Sequence, residues 1–300
     1  MLTVSRRRLL TAGAAAVLTM AAPSALLARS VKDAAGDEVA LGKLDRILAI
    51  GGDVTEIIHE LGEGTRIIAT DTTSTFPPAV MALPKVGYMR ALSTEGVLAQ
   101  SPDLILASAG SGPPEVIAAL KHSGIPIALV DYNPTAEAIG RKIALIAEIL
   151  DVKERGAELT TSIESDLAAL ETALAQAPRP RTLFVLSVIG GRIMAAGSKS
   201  SASEIITLAG GTNAVAEFNG FKPASAEAII AAQPEAVVMM ARDGDIGAEE
   251  LFTQEPFSLI PAAKTRKLIR MDGSYLLGFG PRTPSAAREL AKALHPGLAL

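Results

Sequence analysis

The chain has no cysteine among its 300 residues. That absence excludes disulfides, thiolate zinc sites, iron–sulfur clusters, cysteine nucleophiles and lipid attachment at a cysteine. Tryptophan is also absent and aromatic residues reach only 3%, too few for the stacking platforms that hold single-stranded nucleic acid. A formal net charge of −4 and a pI near 5.6 leave no cation excess for a phosphate backbone, so no nucleic-acid partner is expected. What is present is a chain 49% hydrophobic and 20% charged. That is the balance of a globular protein with a real core, long enough for one large or two mid-sized domains.

The first 28 residues stand apart. Ser5-Arg6-Arg7-Arg8 precedes an apolar stretch from Leu9 to Met20, and small residues follow from Ala25 to Ala28. A basic start, a short apolar segment and a small-residue end make an export signal, and the paired arginines match its twin-arginine form. The apolar run is too short to cross a bilayer comfortably, and no later run is longer, so the chain is not expected to span a membrane. Residues 1–28 carry three arginines and no acid, so cleavage after Ala28 takes the net charge from −4 to −7. The mature chain is expected to be soluble and periplasmic.

Apolar runs at 46–50, 67–69, 104–107 and 127–130 alternate with helix-type sequence, the pattern of a parallel sheet with helices on its faces. Asp53-Val54-Thr55-Glu56 has capping-box spacing and predicts a helix start, with Gly62 as its stop. From Thr135 to Ala177 helix formers dominate. One apolar stripe runs through Ile143, Ile146, Ala147 and Leu150, and another through Ile163, Leu167, Leu170 and Leu174. The second helix is expected over 153–177, about 37 Å at 1.5 Å per residue, ended by Pro178 and Pro180. Strand-type sequence resumes at 182–188.

The second half echoes the first. Ser93, Glu95, Ala99 and Pro102 align with Ser225, Glu227, Ala231 and Pro234 at a constant offset of 132 residues. Glu56-Ile57-Ile58 and Gly62 align with Glu204-Ile205-Ile206 and Gly210 at an offset of 148. Two matches in the same order point to two related α/β lobes joined by the helical region, with a ligand site in the cleft between them. The expected organisation is an export signal over 1–28, a first lobe over 29–134, a connector over 135–177 and a second lobe over 178–300.

An exported chain with two α/β lobes, a long connecting helix and this repeated Glu…Pro-Asp/Glu segment resembles the helical-backbone class of substrate-binding proteins for ABC importers. Within that class, Val86-Gly87-Tyr88-Met89-Arg90-Ala91-Leu92-Ser93-Thr94-Glu95 resembles the periplasmic haem-binding proteins of haem importers. So does the tail from Met271 through Tyr275, Gly280 and Arg282 to Pro284. The resemblance spans the mature chain and implies a carrier of haem b that delivers it to a permease dimer and works as a monomer. The same architecture also serves ferric-siderophore and cobalamin carriers.

A phenolate is a hard anionic oxygen suited to ferric iron, and tyrosine is a known proximal haem ligand. The resemblance puts Tyr88 in that role, although a loop tyrosine packing its ring on the lobe satisfies the spacing equally. A free phenol ionises only near pH ~10, so ligation needs the iron itself, aided by a cation such as Arg90. The resemblance makes Arg90 and Arg242 haem contacts, since a guanidinium pairs well with a propionate; Arg192 and Lys222 are further candidates. Phe218, Phe221 and Met194 could cover a porphyrin face or serve as ordinary core. Some carriers of this type use a histidine in the second lobe or hold two stacked haems, but Ser187 to Met194 contains no histidine, and His59, His122 and His295 fall in predicted helices. One five-coordinate haem is therefore expected, with Met194 the alternative sixth ligand.

Glu95 and Glu227 each open a short helix, where a carboxylate suits the N-terminus. The resemblance gives them a second role, one exposed acid per lobe docking on the permease. Enzyme motifs are lacking: His59-Glu60 has no second histidine of a zinc-protease helix, and there is no Gly-x-Ser-x-Gly elbow. Gly191 to Ser200 misses phosphate-loop spacing by one residue. A noncatalytic carrier is expected, with an exported α/β hydrolase the distant alternative.

Overall fold

The computed structural model describes residues 29–241 and 246–299. The export segment and Arg242 lie outside the described residues. The described chain opens with a hairpin of β1 (Ser30–Lys32) and β2 (Glu38–Ala40). Asp33 ties it to the first lobe by accepting the amides of Ala35 at 2.9 Å, Asp37 at 3.0 Å and Leu129 at 3.0 Å.

The first lobe runs β3 (Ile47–Ile50), α1 (Gly52–Glu60), β4 (Ile67–Thr70), α2 (Thr94–Leu98), β5 (Leu104–Ser108), α3 (Pro114–Lys121) and β6 (Ile127–Val130). Its four strands are parallel, in the order β4-β3-β5-β6. Every residue of β3, β5 and β6 is buried, which is why these strands read as unbroken apolar runs: a parallel sheet is covered on both faces.

The connector is α4 (Ala136–Leu150) followed by α5 (Lys153–Leu174). Thr135 caps α4 by accepting the Ala138 amide. The 22 residues of α5 span about 33 Å at 1.5 Å per residue. The helix stops three residues short of the predicted end, because a proline at 178 would drive its ring into the carbonyl of Leu174 if the helix continued.

The second lobe comprises β7 (Arg181–Ile189), β8 (Arg192–Ala196), α6 (Ser201–Leu208), β9 (Thr212–Asn213), β10 (Phe221–Ala224), α7 (Ala226–Ala232) and β11 (Ala236–Met240). After them come α8 (Ala248–Leu251), α9 (Pro261–Thr265), β12 (Leu268–Met271), α10 (Gly273–Leu277) and α11 (Thr283–Leu294). Its sheet runs β10-β8-β7-β11-β12, with β9 on the start of β7. The β7, β11 and β12 pairs are parallel, while β8 and β10 run antiparallel.

Side chains alternate across each sheet and so divide the core into three layers. Leu104 and Leu106 of β5 and Phe184 and Val238 of the second sheet face one continuous core shared with α1, α4, α5, α6 and α11. Ile105 and Ala107 face an outer cluster of the first lobe; Leu183 and Val237 face an outer cluster of the second. The molecule is thus two α/β lobes joined by a long helix and welded by a helical layer between them.

The internal repeat is a structural one. Ser93 and Ser225 are the N-caps of α2 and α7, accepting the amides of Gly96 and Ala228. Helices α1 and α6 both pack into the shared core, and each is followed by a glycine in the left-handed region, Gly62 at φ 77° and Gly210 at φ 76°. Only glycine adopts that turn without steric cost.

The capping box expected at Asp53 does not form. Gly51 is the N-cap of α1 and no side chain caps it. Both carboxylates are drawn to remote cations instead: Asp53 to Lys142 and Glu56 to Arg282.

Candidate functional site

The sheets end at a cleft of about 750 Å³ between the lobes, the place where open α/β layers bind ligands. Its first-lobe wall is built from the loops after β3 and β4, and Asp71 holds them together. This fully buried carboxylate accepts the Gly51 amide at 2.9 Å and the Ser74 hydroxyl at 2.9 Å through Oδ1. Through Oδ2 it accepts the Thr73 amide at 2.9 Å and the Thr73 hydroxyl at 2.6 Å. Lys85 fixes the segment leading to the wall. Its three N–H groups donate to Thr70 Oγ1, the Ser74 carbonyl and the Val80 carbonyl at 2.7, 2.8 and 3.1 Å. Burial pushes this amine below the usual lysine value, against the pull of Asp71.

Tyr88 sits on a tight turn closed by the Ala91 amide on the Tyr88 carbonyl at 2.8 Å. The turn is anchored on both sides: the Thr72 amide donates to the Gly87 carbonyl at 2.9 Å and the Gly112 amide to the Met89 carbonyl at 2.9 Å. Both Met89 and Tyr88 line the cleft, but Met89 is buried in the lobe's outer cluster whereas Tyr88 is 48% exposed. Among the described residues its hydroxyl has no hydrogen-bond partner.

Arg90 lines the same wall, and its guanidinium donates to the hydroxyl of Tyr132, with its carbon 5.5 Å from that ring's centroid. Tyr132 follows β6 on a loop held by Asp131. That carboxylate accepts the Asn133 amide at 2.9 Å and two bonds from Arg141 at 2.9 and 2.7 Å. Burial alone would raise the Asp131 carboxyl, but the Asn133 amide and Arg141 more than reverse this and hold it below the usual range. A side chain at Gly110 would meet the Tyr132 ring at 2.9 Å, so the glycine makes room for the ring. Sequence reasoning missed Tyr132 and the Asp71 hub, because both act through contacts rather than local spacing.

The opposite wall is different in kind. Leu186, Ile189, Phe221 and Met240 face the cleft, and Ile189 is 72% exposed. The Phe221 ring stands edge-on to Phe184, with centroids 6.1 Å apart. Ser187 and Ala241 also line this wall; Arg242 lies outside the described residues. Arg192, Lys222, Met194 and Phe218 do not line the cleft.

The tail seals the back. Asp272 caps α10 by accepting the Tyr275 amide at 2.8 Å. The Phe279 carbonyl accepts the Lys142 ammonium at 3.0 Å, and that ammonium also meets Asp53 at 2.5 Å; Lys142 is 2% exposed. Arg282 grips Glu56 with two bonds at 2.8 and 2.5 Å. The same guanidinium lies 4.0 Å from the centroid of Phe76 and 5.0 Å from that of Tyr275. Burial raises the Glu56 carboxyl above the usual range despite Arg282. These pairs join elements 89 and 226 residues apart. The sequence carries one signal of them, a lysine beside the apolar stripe of α4.

Glu95 and Glu227 lie away from the cleft, each exposed in the first turn of a short helix of its own lobe. Its own backbone amide, and then the Ser225 hydroxyl, hold Glu227 below the usual carboxylate range.

A family model described as periplasmic binding protein matches residues 47–275. The chain belongs to that family. Its members are substrate-binding proteins of ABC transporters, not enzymes. The fold is similar to that of the periplasmic heme-binding protein BhuT in complex with two hemes: TM-score 0.79 and 38% identity, over 85% of this chain and 99% of that one. It is similar too to apo RhuT, a periplasmic heme-binding protein from Roseiflexus sp. RS-1: TM-score 0.79 and 34% identity, over 84% and 98% of the two chains. In sequence it resembles a vitamin B12-binding protein of Vibrio parahaemolyticus at 25% identity, over 83% of this chain and 89% of that one. No helix among the described residues of this periplasmic binding protein is long and apolar enough to cross a membrane.

Proposed function

We propose that this chain is the haem carrier of an ABC importer, holding haem b in the interlobe cleft with the Tyr88 oxygen on the iron. One observation carries the reading: an exposed phenol with a free hydroxyl stands on a doubly anchored turn, facing an apolar wall across the cleft. A planar amphipathic ligand needs that combination, an iron-seeking oxygen on one side and apolar cover on the other. Likeness to two heme-binding proteins at 38% and 34% identity supports it. Tyr88 would release its hydroxyl proton to solvent and supply an anionic oxygen to the iron of the bound haem. Arg90, and Arg242 from the second lobe, provide positive charge for the phenolate or a propionate. With no histidine lining the cleft, one five-coordinate haem per chain is the expected load.

Corrinoid binding is the second reading, favoured by the vitamin B12-binding relative at 25% identity. Delivery to a permease dimer rests on Glu95 and Glu227, two exposed acids at equivalent positions of the repeat, which suit a two-fold partner. Residues 1–28 serve export, by the twin-arginine route, and the mature carrier works as a monomer. Residues 29–134, 135–177 and 178–300 act as first lobe, connector and second lobe. Because the core runs unbroken between the lobes, scattering profiles with and without ligand are expected to superimpose closely; a large compaction would contradict this.

The test is a spectral titration of the signal-free protein with ferric hemin, run beside Tyr88→Phe. Saturation near one haem per chain, with a high-spin tyrosinate spectrum lost in the variant, is the expected result. Unchanged saturable binding in the variant removes Tyr88 from the iron. No saturable binding of hemin, with binding of cobalamin, replaces haem by a corrinoid.

A further inference from the structure

A second cavity of about 290 Å³ opens beside the main cleft and shares Arg90, Tyr132, Ser201 and Phe221 with it. Its own lining adds Asn133, Lys199 and Ser200. Among the described residues it is lined by three cations and by no carboxylate. One of the three, Lys142, is spoken for by Asp53 and the Phe279 carbonyl. The other two face the cavity from opposite lobes: Arg90 from the Tyr88 turn and Lys199 from the loop between β8 and α6.

Lys199 is distinctive. It is exposed and has no hydrogen-bond or ion-pair partner among the described residues, and it is held at φ 52°. A non-glycine residue in that region is uncommon and persists where its surroundings over-determine it. Here they do. The Ser198 amide donates to the Phe218 carbonyl at 2.7 Å, and the Ser200 hydroxyl donates to the Gly197 carbonyl at 2.7 Å while accepting the Ser203 amide. The lysine is therefore the free element of a fixed loop.

Two cations converging on a cavity without an acid repel one another, and an anion between them relieves that repulsion. We infer that this side cavity takes a carboxylate arm of the ligand in the main cleft, clamped between Arg90 of the first lobe and Lys199 of the second. The inference rests on the haem reading and deepens it: the cargo is a macrocycle bearing free carboxylates rather than amides. Asn133 and Ser201 supply neutral polar partners beside the two charges. Arg192 and Lys222, further candidates from the sequence, line neither cavity, and Lys199 takes the task beside Arg90.

The experiment compares ferric protoporphyrin IX with its dimethyl ester on the mature chain, in wild type, Lys199→Gln and Lys199→Arg. Wild type is expected to prefer the free acid by about tenfold, the scale of one charge-assisted contact. Lys199→Gln should narrow that preference to about twofold with the iron spectrum unchanged, and Lys199→Arg should restore it. An unchanged preference in Lys199→Gln, or equal weakening toward acid and ester, overturns this inference alone. Failure of both porphyrins to bind wild type overturns the haem reading, and the inference with it.

Discussion

The two lobes share a plan and differ where they face the ligand. Their α1 and α6 enter one core, and their α2 and α7 begin with the same Ser cap and the same exposed Glu. At the cleft the likeness ends. The first lobe presents Tyr88, Arg90 and Tyr132 on loops pinned by buried polar hubs; the second presents Leu186, Ile189, Phe221 and Met240 from its sheet. The repeat thus holds where both lobes do the same structural work, burying a helix and capping a short one. The walls have diverged for what each side must do alone. Substitutions at divergent positions should have unlike consequences, and substitutions at repeated positions like ones.

The largest contrast lies across the cleft. Tyr88→Phe removes the proposed iron ligand and is expected to weaken hemin by at least about 100-fold, since a direct ligand should matter no less than an outer-shell partner of a metal, with loss of the tyrosinate spectrum. Ile189→Ser, on the apolar wall, removes contact area alone and should cost about tenfold, the worth of roughly 1.5 kcal/mol of apolar burial. Its spectrum should stay that of wild type. Side-by-side hemin titrations check both. An altered spectrum in Ile189→Ser would mean that the second wall also sets the iron's coordination.

Glu95 and Glu227 test the opposite case. Glu95→Gln and Glu227→Gln should leave hemin affinity unchanged and each lower uptake through the reconstituted importer to a similar degree. About fivefold is the limit set by an exposed ion pair. Uptake lowered by one and untouched by the other would break the two-fold docking idea.

Much of this plan was legible in the sequence, for a physical reason. Strands buried on both faces must be apolar throughout, so β3, β5 and β6 announced themselves, and the stripes on α4 and α5 marked the sides that pack. The repeat was visible because cap and stop residues are local requirements. Asp53 and Glu56 misled, because capping spacing says nothing of a competing cation. Lys142 and Arg282 reach them from other elements and win, since a buried carboxylate gains more from a full charge than from a helix amide. Asp71, Tyr132 and Lys199 escaped for the same reason: their roles lie in partners brought close by the fold. Tyr88 and Arg90 were found through their surrounding motif, and both line the cleft.

The glycines that end α1 and α6 give a graded pair. Gly62→Ala and Gly210→Ala each force alanine into the left-handed region, at about 1 kcal/mol. The added methyl at 62 meets Arg155 Nη1 at 2.5 Å, the far end of a half-exposed side chain that can swing aside by giving up its bonds to the Leu61 carbonyl and Glu63, while at 210 it meets the His295 ring at 3.0 Å and Leu174 at 3.2 Å inside the core. Gly210→Ala should therefore lower the denaturant midpoint more than Gly62→Ala. The reverse order would place the softer packing in the second lobe.

The smallest effect separates Glu56 from its repeat counterpart Glu204. Burial raises both carboxyls above their ordinary value of 4.5. Arg282 opposes the rise at Glu56, whereas Glu137 adds to it at Glu204. A carboxyl raised in the folded state favours folding while protonated, and that contribution is lost as pH climbs from about the ordinary value through the folded one. Glu204→Gln removes the loss, so its melting temperature should gain on wild type between pH 4 and pH 7. Glu56→Gln should gain in the same direction but by less, because Arg282 already offsets part of the effect of burial at Glu56 whereas no cation does so at Glu204. Thermal melts of both variants at the two pH values decide the matter: equal gains would show that Arg282 contributes little to holding Glu56 charged.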